Sequence, residues 1–190
     1  MVRKHLFKYR SLDNFEFFVD ILLNQRLFAT SYENMNDAME GIYYNFGLPK
    51  QKLKDIKENK DSLKICSLSQ AENDPLLWAH YANGSRGVNL EVEITGHDLD
   101  IKEISYDGVP TIKECINTQQ TAKEILTHKH ESWKYEQEVR VFTTKQYVKI
   151  KIIRIILGEK ISREHKELIS SLVKKIYKDE IPIINKTDID

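Results

Sequence analysis

The chain has 190 residues, 41% hydrophobic and 31% charged, and its 29 basic side chains balance 29 acidic ones. That size suits a single domain over residues 1–190 with enough apolar residues for a core. The neutral balance excludes nucleic-acid binding through global positive charge, two cysteines are too few for a disulfide framework, and no apolar run approaches the roughly 18 residues of a membrane span. The opening MVRKHLFKYRS lacks the apolar stretch of a secretion signal. Cys66, inside the apolar-rich run 63–68, reads as a buried thiol suited to a reducing cytoplasm.

In chain order, His5–Arg10 reads as a short strand with Lys8 and Arg10 to one side and Phe7 and Tyr9 to the other. Ser11 offers a cap for a helix over Leu12–Asn24 with Phe15, Phe18, Val19 and Leu22 on one face. Leu27–Thr30 is a second short strand. Ser31–Gly41 is a polar loop with a helical turn near Asp37–Glu40, and Leu48–Lys60 is a charged helix opened by Pro49. Leu63–Ser69 is a half-buried strand. Asp74-Pro75 starts a helix over Leu76–Ala82, Gly84 supplies a left-handed stop, and Gly87–Ile94 alternates as a strand. Ile101–Tyr106 is another strand, followed by a long helix over Thr111–Ser132. Tyr147–Leu157 is the most β-like run, Ser162 caps a last amphipathic helix, and Ile181–Ile184 closes the chain as a short strand. The expected class is α+β, with mixed, largely antiparallel sheets and flanking helices.

Four stretches could carry chemistry. In Trp133–Phe142, WKYEQEVRVF, a continuous strand would put Glu136, Glu138 and Arg140 on one face behind two aromatics. This is either a carboxylate pair meeting a small ligand or an edge strand with a solvated face. In Pro75–Val92, Trp78, His80 and Tyr81 crowd one helix, either as a stacking surface for a planar ring or as core packing. Asn36, Asp37 and Glu40 cluster at helical spacing, either at a site or as a capped turn. The lysines between Lys145 and Lys178 are either an acceptor-binding region or a solvated face. His128 and His130 fall two apart on the expected helix and so point apart, no His or Cys cluster has zinc spacing, and no metal site is expected. Neither a phosphate-cradling glycine loop nor a nucleophile elbow is present.

Taken in order, the blocks LFKYRS (6–11), NDAMEG (36–41), LWAHYANGSRGVNLEV (77–92) and WKYEQEVRVF (133–142) resemble a widespread bacterial family of uncharacterised domains. The second block departs from that family, with Ala38 and Met39 where Pro and Phe are usual. More distantly, the order of parts is similar to toxin-type ADP-ribosyltransferases, with Lys8 where a histidine is common. This resemblance implies an ADP-ribosyltransferase-like fold and an NAD-dependent transferase acting on a nucleic acid or protein acceptor, as a toxin or phage-defence effector with an antitoxin partner. It implies Glu138, with Glu136 second, as the catalytic carboxylate stabilising positive charge on the sugar of NAD. It also implies contact of NAD with Lys8, Tyr9, Arg10, Trp78, His80 and Tyr81, an acceptor or ribose side at Asn36, Asp37 and Glu40, and a supporting role for Arg140. The alternatives are a non-catalytic module of the same fold that binds a nucleotide, nucleic acid or protein, and an NAD glycohydrolase.

Overall fold

The computed structural model describes residues 5–96, 99–178 and 180–189. The chain begins with β1 (Leu6–Arg10), α1 (Phe15–Asn24), β2 (Arg26–Phe28), β3 (Tyr44–Asn45), α2 (Lys50–Ser62), β4 (Lys64–Ser69), α3 (Pro75–Tyr81) and β5 (Val88–Ile94). It continues with β6 (Asp100–Glu103), β7 (Thr111–Ile112), α4 (Thr118–Ile125), β8 (Glu138–Thr143), β9 (Tyr147–Leu157), α5 (Arg163–Tyr177) and β10 (Ile183–Asn185). Short 3-10 helices occupy Tyr32–Asn34, Glu131–Glu136 and Lys186–Asp188. The class is α+β, with mostly antiparallel strands and flanking helices. Two compact units share the chain: Met1–Leu27, Leu68–His97 and Lys149–Asp190 form the first, and Phe28–Ser67 and Asp98–Val148 form the second.

In the first unit the strands run in the order β10-β9-β5-β1, and Phe7 of β1 pairs with Ser69 at the end of β4. β10 is parallel to β9; the other pairs are antiparallel. β5 buries Val88, Leu90 and Val92, and β9 buries Ile150 and Ile152 and, beyond a register shift opposite Glu91 and Val92, Ile155, the apolar burial that makes a sheet worth forming. The α1 and α5 helices add Phe18, Leu22, Ile169 and Val173 to the buried set. Phe15 stacks on His165 with ring centroids 5.4 Å apart, and the Tyr177 hydroxyl donates to the Leu22 carbonyl. Two glycines mark close backbone approach: a Cβ on Gly87 would lie 2.1 Å from the Arg10 carbonyl oxygen, and one on Gly158 2.2 Å from that of Ser85.

In the second unit β4, β8 and β6 are neighbours, with β6 antiparallel to β8. One cluster joins Leu63, Ile65, Leu126 and Phe142, and a second joins Ile56 of α2, Ile112 of β7 and Ile125 of α4.

Most elements form where periodicity places them, and the exceptions have local causes. The first helix starts at Phe15, because Ser11 instead closes a tight turn in which its hydroxyl accepts from Asp13 N at 3.1 Å. The long helix expected over Thr111–Ser132 is corrected. Thr111–Ile112 pairs with Tyr44–Asn45 as strand, and Asn117 caps the short α4 by accepting from the amides of Gln119 and Gln120. After α4 the chain turns extended, and His128 bridges to Ser105. The expected single strand through Glu136, Glu138 and Arg140 is also corrected: Glu136 ends a 3-10 turn, Gln137 takes a left-handed φ of 42°, and the strand begins at Glu138. No helix among the described residues is long and apolar enough to cross a membrane.

Candidate functional site

The second unit has a buried ion network built on β8. Glu138 and Arg140 are two apart on this strand and therefore share a face. Arg140, fully buried, places its five N–H groups in five hydrogen bonds. Its terminal nitrogens form a fork onto both oxygens of Glu40 at 2.7 Å. Nε reaches Glu138 Oε1 at 2.8 Å, a second donor reaches Glu138 Oε2 at 3.1 Å, and the last meets the Leu126 carbonyl. Lys129 joins from the extended segment after α4, donating to Glu138 Oε2 at 3.1 Å and to Glu136 Oε2, with its ammonium 4.8 Å from the Trp133 ring centroid. The Tyr106 hydroxyl accepts from Glu138 N at 2.6 Å.

The electrostatics follow from this wiring. Burial opposes ionisation of Glu138, but Arg140, Lys129 and hydrogen bonds from Arg140 and Ser67 outweigh it, and the pKa falls to about 2. Burial likewise disfavours charge on Lys129 and Arg140, and their carboxylate partners override it and raise both. Burial lifts the Glu40 carboxyl above the usual range against the pull of Arg140. The loop carrying Glu40 is fixed by Lys60 of α2, which donates to the Gly41 carbonyl at 2.6 Å and lies over the rings of Tyr32 and Tyr43. The second and fourth sequence blocks thus meet at one salt-bridged centre.

The first and third blocks meet in the first unit. Tyr9 and Trp78 pack edge to face at 5.2 Å. The Tyr9 hydroxyl donates to the Ala71 carbonyl at 2.9 Å, the Trp78 indole N–H donates to Asn73 Oδ1 at 3.1 Å, and the Lys186 ammonium sits 5.5 Å from the indole centroid. Asp74 caps α3 through the amides of Leu76 and Leu77. The stacking role expected for Trp78 is corrected: the side chain is 1% exposed and its surroundings are protein, so no ring face is offered to a ligand. Tyr81, Lys8 and Arg10 are half-buried, and His80 is exposed.

Glu138 does open β8, but its carboxylate is enclosed. Its side chain is 3% exposed, and both oxygens are taken by Arg140 and Lys129. Glu136 is buried beside it. Of the loop residues, Asn36 is exposed, Glu40 belongs to the network, and Asp37 lines a small surface pocket together with Met39, Ile42, Val109, His128 and His130. Among the described residues no cluster of three or more His, Cys, Asp or Glu side chains could hold a metal ion.

Sequence reasoning missed Lys129, Tyr106 and the histidines as neighbours of this centre. In an extended segment residues two apart share a face, so His128 and His130 line one pocket instead of diverging as on a helix. The Asn117 cap and the β-branched pair Thr111-Ile112 were the available signals that no single helix ran through this region. Compared with family models, curated proteins and solved structures, the chain finds no match, so its resemblance to a family rests on the four sequence blocks.

Proposed function

We propose that the chain is a non-catalytic binding module for a nucleotide-class ligand, with NAD as the first candidate, and that its charged motif residues serve as scaffold. The observation that carries this reading is the saturation of Glu138: a carboxylate that stabilises a developing sugar cation needs an open oxygen facing the substrate, whereas both Glu138 oxygens are engaged by buried cations. NAD as the ligand is supported by the order of the four blocks, similar to that of ADP-ribosyltransferases.

A second reading, NAD-dependent ADP-ribosyl transfer to a nucleic acid or protein, draws on one observation. Glu138 is held ionised at the start of a strand, with its pKa at about 2. For that chemistry Lys129 has to release Glu138 Oε2 when NAD binds. Calorimetric titration of NAD beside an assay of nicotinamide release, with separate DNA, RNA and protein pools, separates the readings. The binding module gives saturable heat and no nicotinamide above background in any pool. Nicotinamide release that Glu138→Gln abolishes while the fold persists overturns it in favour of transfer; release without labelling of any pool points to NAD hydrolysis.

A further inference from the structure

We infer that the pocket beside the Asn36–Glu40 loop takes a cationic nitrogen group, an ammonium or guanidinium, carried on an aliphatic stem. Asp37 forms part of its wall and is 7% exposed. Its Oδ1 accepts from Met39 N at 2.9 Å, but its buried Oδ2 has no hydrogen-bond partner. A buried carboxylate oxygen left without a donor is costly, and a charged N–H donor relieves it best.

The neighbouring charges select the sign of the ligand. The adjacent network holds three carboxylates, Glu40, Glu136 and Glu138, against two cations, Arg140 and Lys129. Lys129 lines the pocket, but its ammonium is bound by Glu136 and Glu138 and lies against the Trp133 ring. His128 is paired with Asp107 at 2.7 Å, adding no uncompensated positive charge. With Asp37 included, and Lys60 counted on the Gly41 carbonyl, four carboxylates stand against three cations, and the net negative charge repels a phosphate and attracts a cation. The remaining wall, Met39, Ile42, Val109 and Pro110, is apolar and suits the methylenes of a lysine, arginine or diamine chain. This inference goes beyond the nucleotide-binding reading and stands whether or not NAD binds.

The test titrates the full chain with 1,4-diaminobutane and with a short arginine- and lysine-containing peptide, using 1,4-butanediol and ribose as neutral controls. The readout is the imidazole NMR signals of His128 and His130. Both cations, or one of them, should shift these signals saturably, and the neutral controls should bind about tenfold more weakly or worse, as expected when one charge-assisted hydrogen bond is lost. Which cation binds distinguishes a free diamine from a basic peptide. Asp37→Asn keeps the shape and should weaken the cation about tenfold or more. Val109→Phe, which narrows the apolar wall without touching Asp37, should do the same and covers the case in which Asp37→Asn does not fold. Equal binding of butanediol or ribose, cation shifts away from the two histidines, or unchanged affinity in both variants overturns the inference. NAD titrated against the same samples reports separately on the nucleotide reading: its failure leaves the cation result intact, and its success does not rescue a failed one.

Discussion

Arg140→Lys tests whether the buried network holds the second unit together. The substitution keeps the positive charge and removes the planar fork. Arg140 makes five hydrogen bonds, to Glu40, Glu138 and the Leu126 carbonyl, whereas a lysine ammonium has three donors. At least two acceptors at this fully buried site therefore lose a donor. A hydrogen bond to a charged group contributes about 1.5–3 kcal/mol, so the expected loss for two is about 3–6 kcal/mol. Against a typical domain stability of about 5–15 kcal/mol, that is a large fraction. With a urea dependence of about 2 kcal/mol per molar, the unfolding midpoint should fall by roughly 2 M. The assay is equilibrium urea unfolding followed by tryptophan fluorescence, to which Trp133 beside Lys129 contributes. A midpoint shift below about 0.3 M would refute the reasoning, because the five bonds would then contribute almost nothing beyond the charge itself.

The network also sets an acid limit. Glu138 has its pKa lowered from 4.5 to about 2, so its contribution, about 3 kcal/mol, is fully present above pH 4.5 and lost as pH falls towards 2; Glu40, raised by burial, works in the opposite sense. Glu138→Gln should remove the Glu138 part of this pH dependence, which unfolding curves between pH 2 and 6 can measure. Lys129→Met leaves Glu136 and Glu138 buried with one cation fewer and should cost about 3–5 kcal/mol, read by the same urea assay. Tyr9→Phe removes the bond to the Ala71 carbonyl and should cost about 1 kcal/mol, with unchanged secondary structure by circular dichroism. Gly87→Ala drives a methyl group against the Arg10 carbonyl oxygen and should cost about 3 kcal/mol or prevent folding, visible as a lowered thermal midpoint.

Local signals in the sequence were enough for much of the framework. Alternation in Gly87–Ile94 and Tyr147–Leu157 specifies strands because one sheet face must be apolar, and Asp74-Pro75 and Ser162 announce helix starts because their side chains satisfy amides the helix leaves free. Two-residue spacing also put Glu138 and Arg140 on one face. What the tertiary structure decided was which groups are buried and which partners they meet. Glu40 lies 100 residues from Arg140 in the chain, and nothing local in NDAMEG specifies a guanidinium as its partner. The same carboxylate reads as a ligand contact when exposed and as scaffold when enclosed, and Arg140, Lys129 and Tyr106 together enclose Glu138. Trp78 follows the same rule: its spacing permits either a stacking surface or a core residue, and Tyr9 and Asn73 make it core. Asp37 is the converse case: its spacing permits either a site residue or a capped turn, and its Oδ2 becomes distinctive only because the fold buries it without a donor.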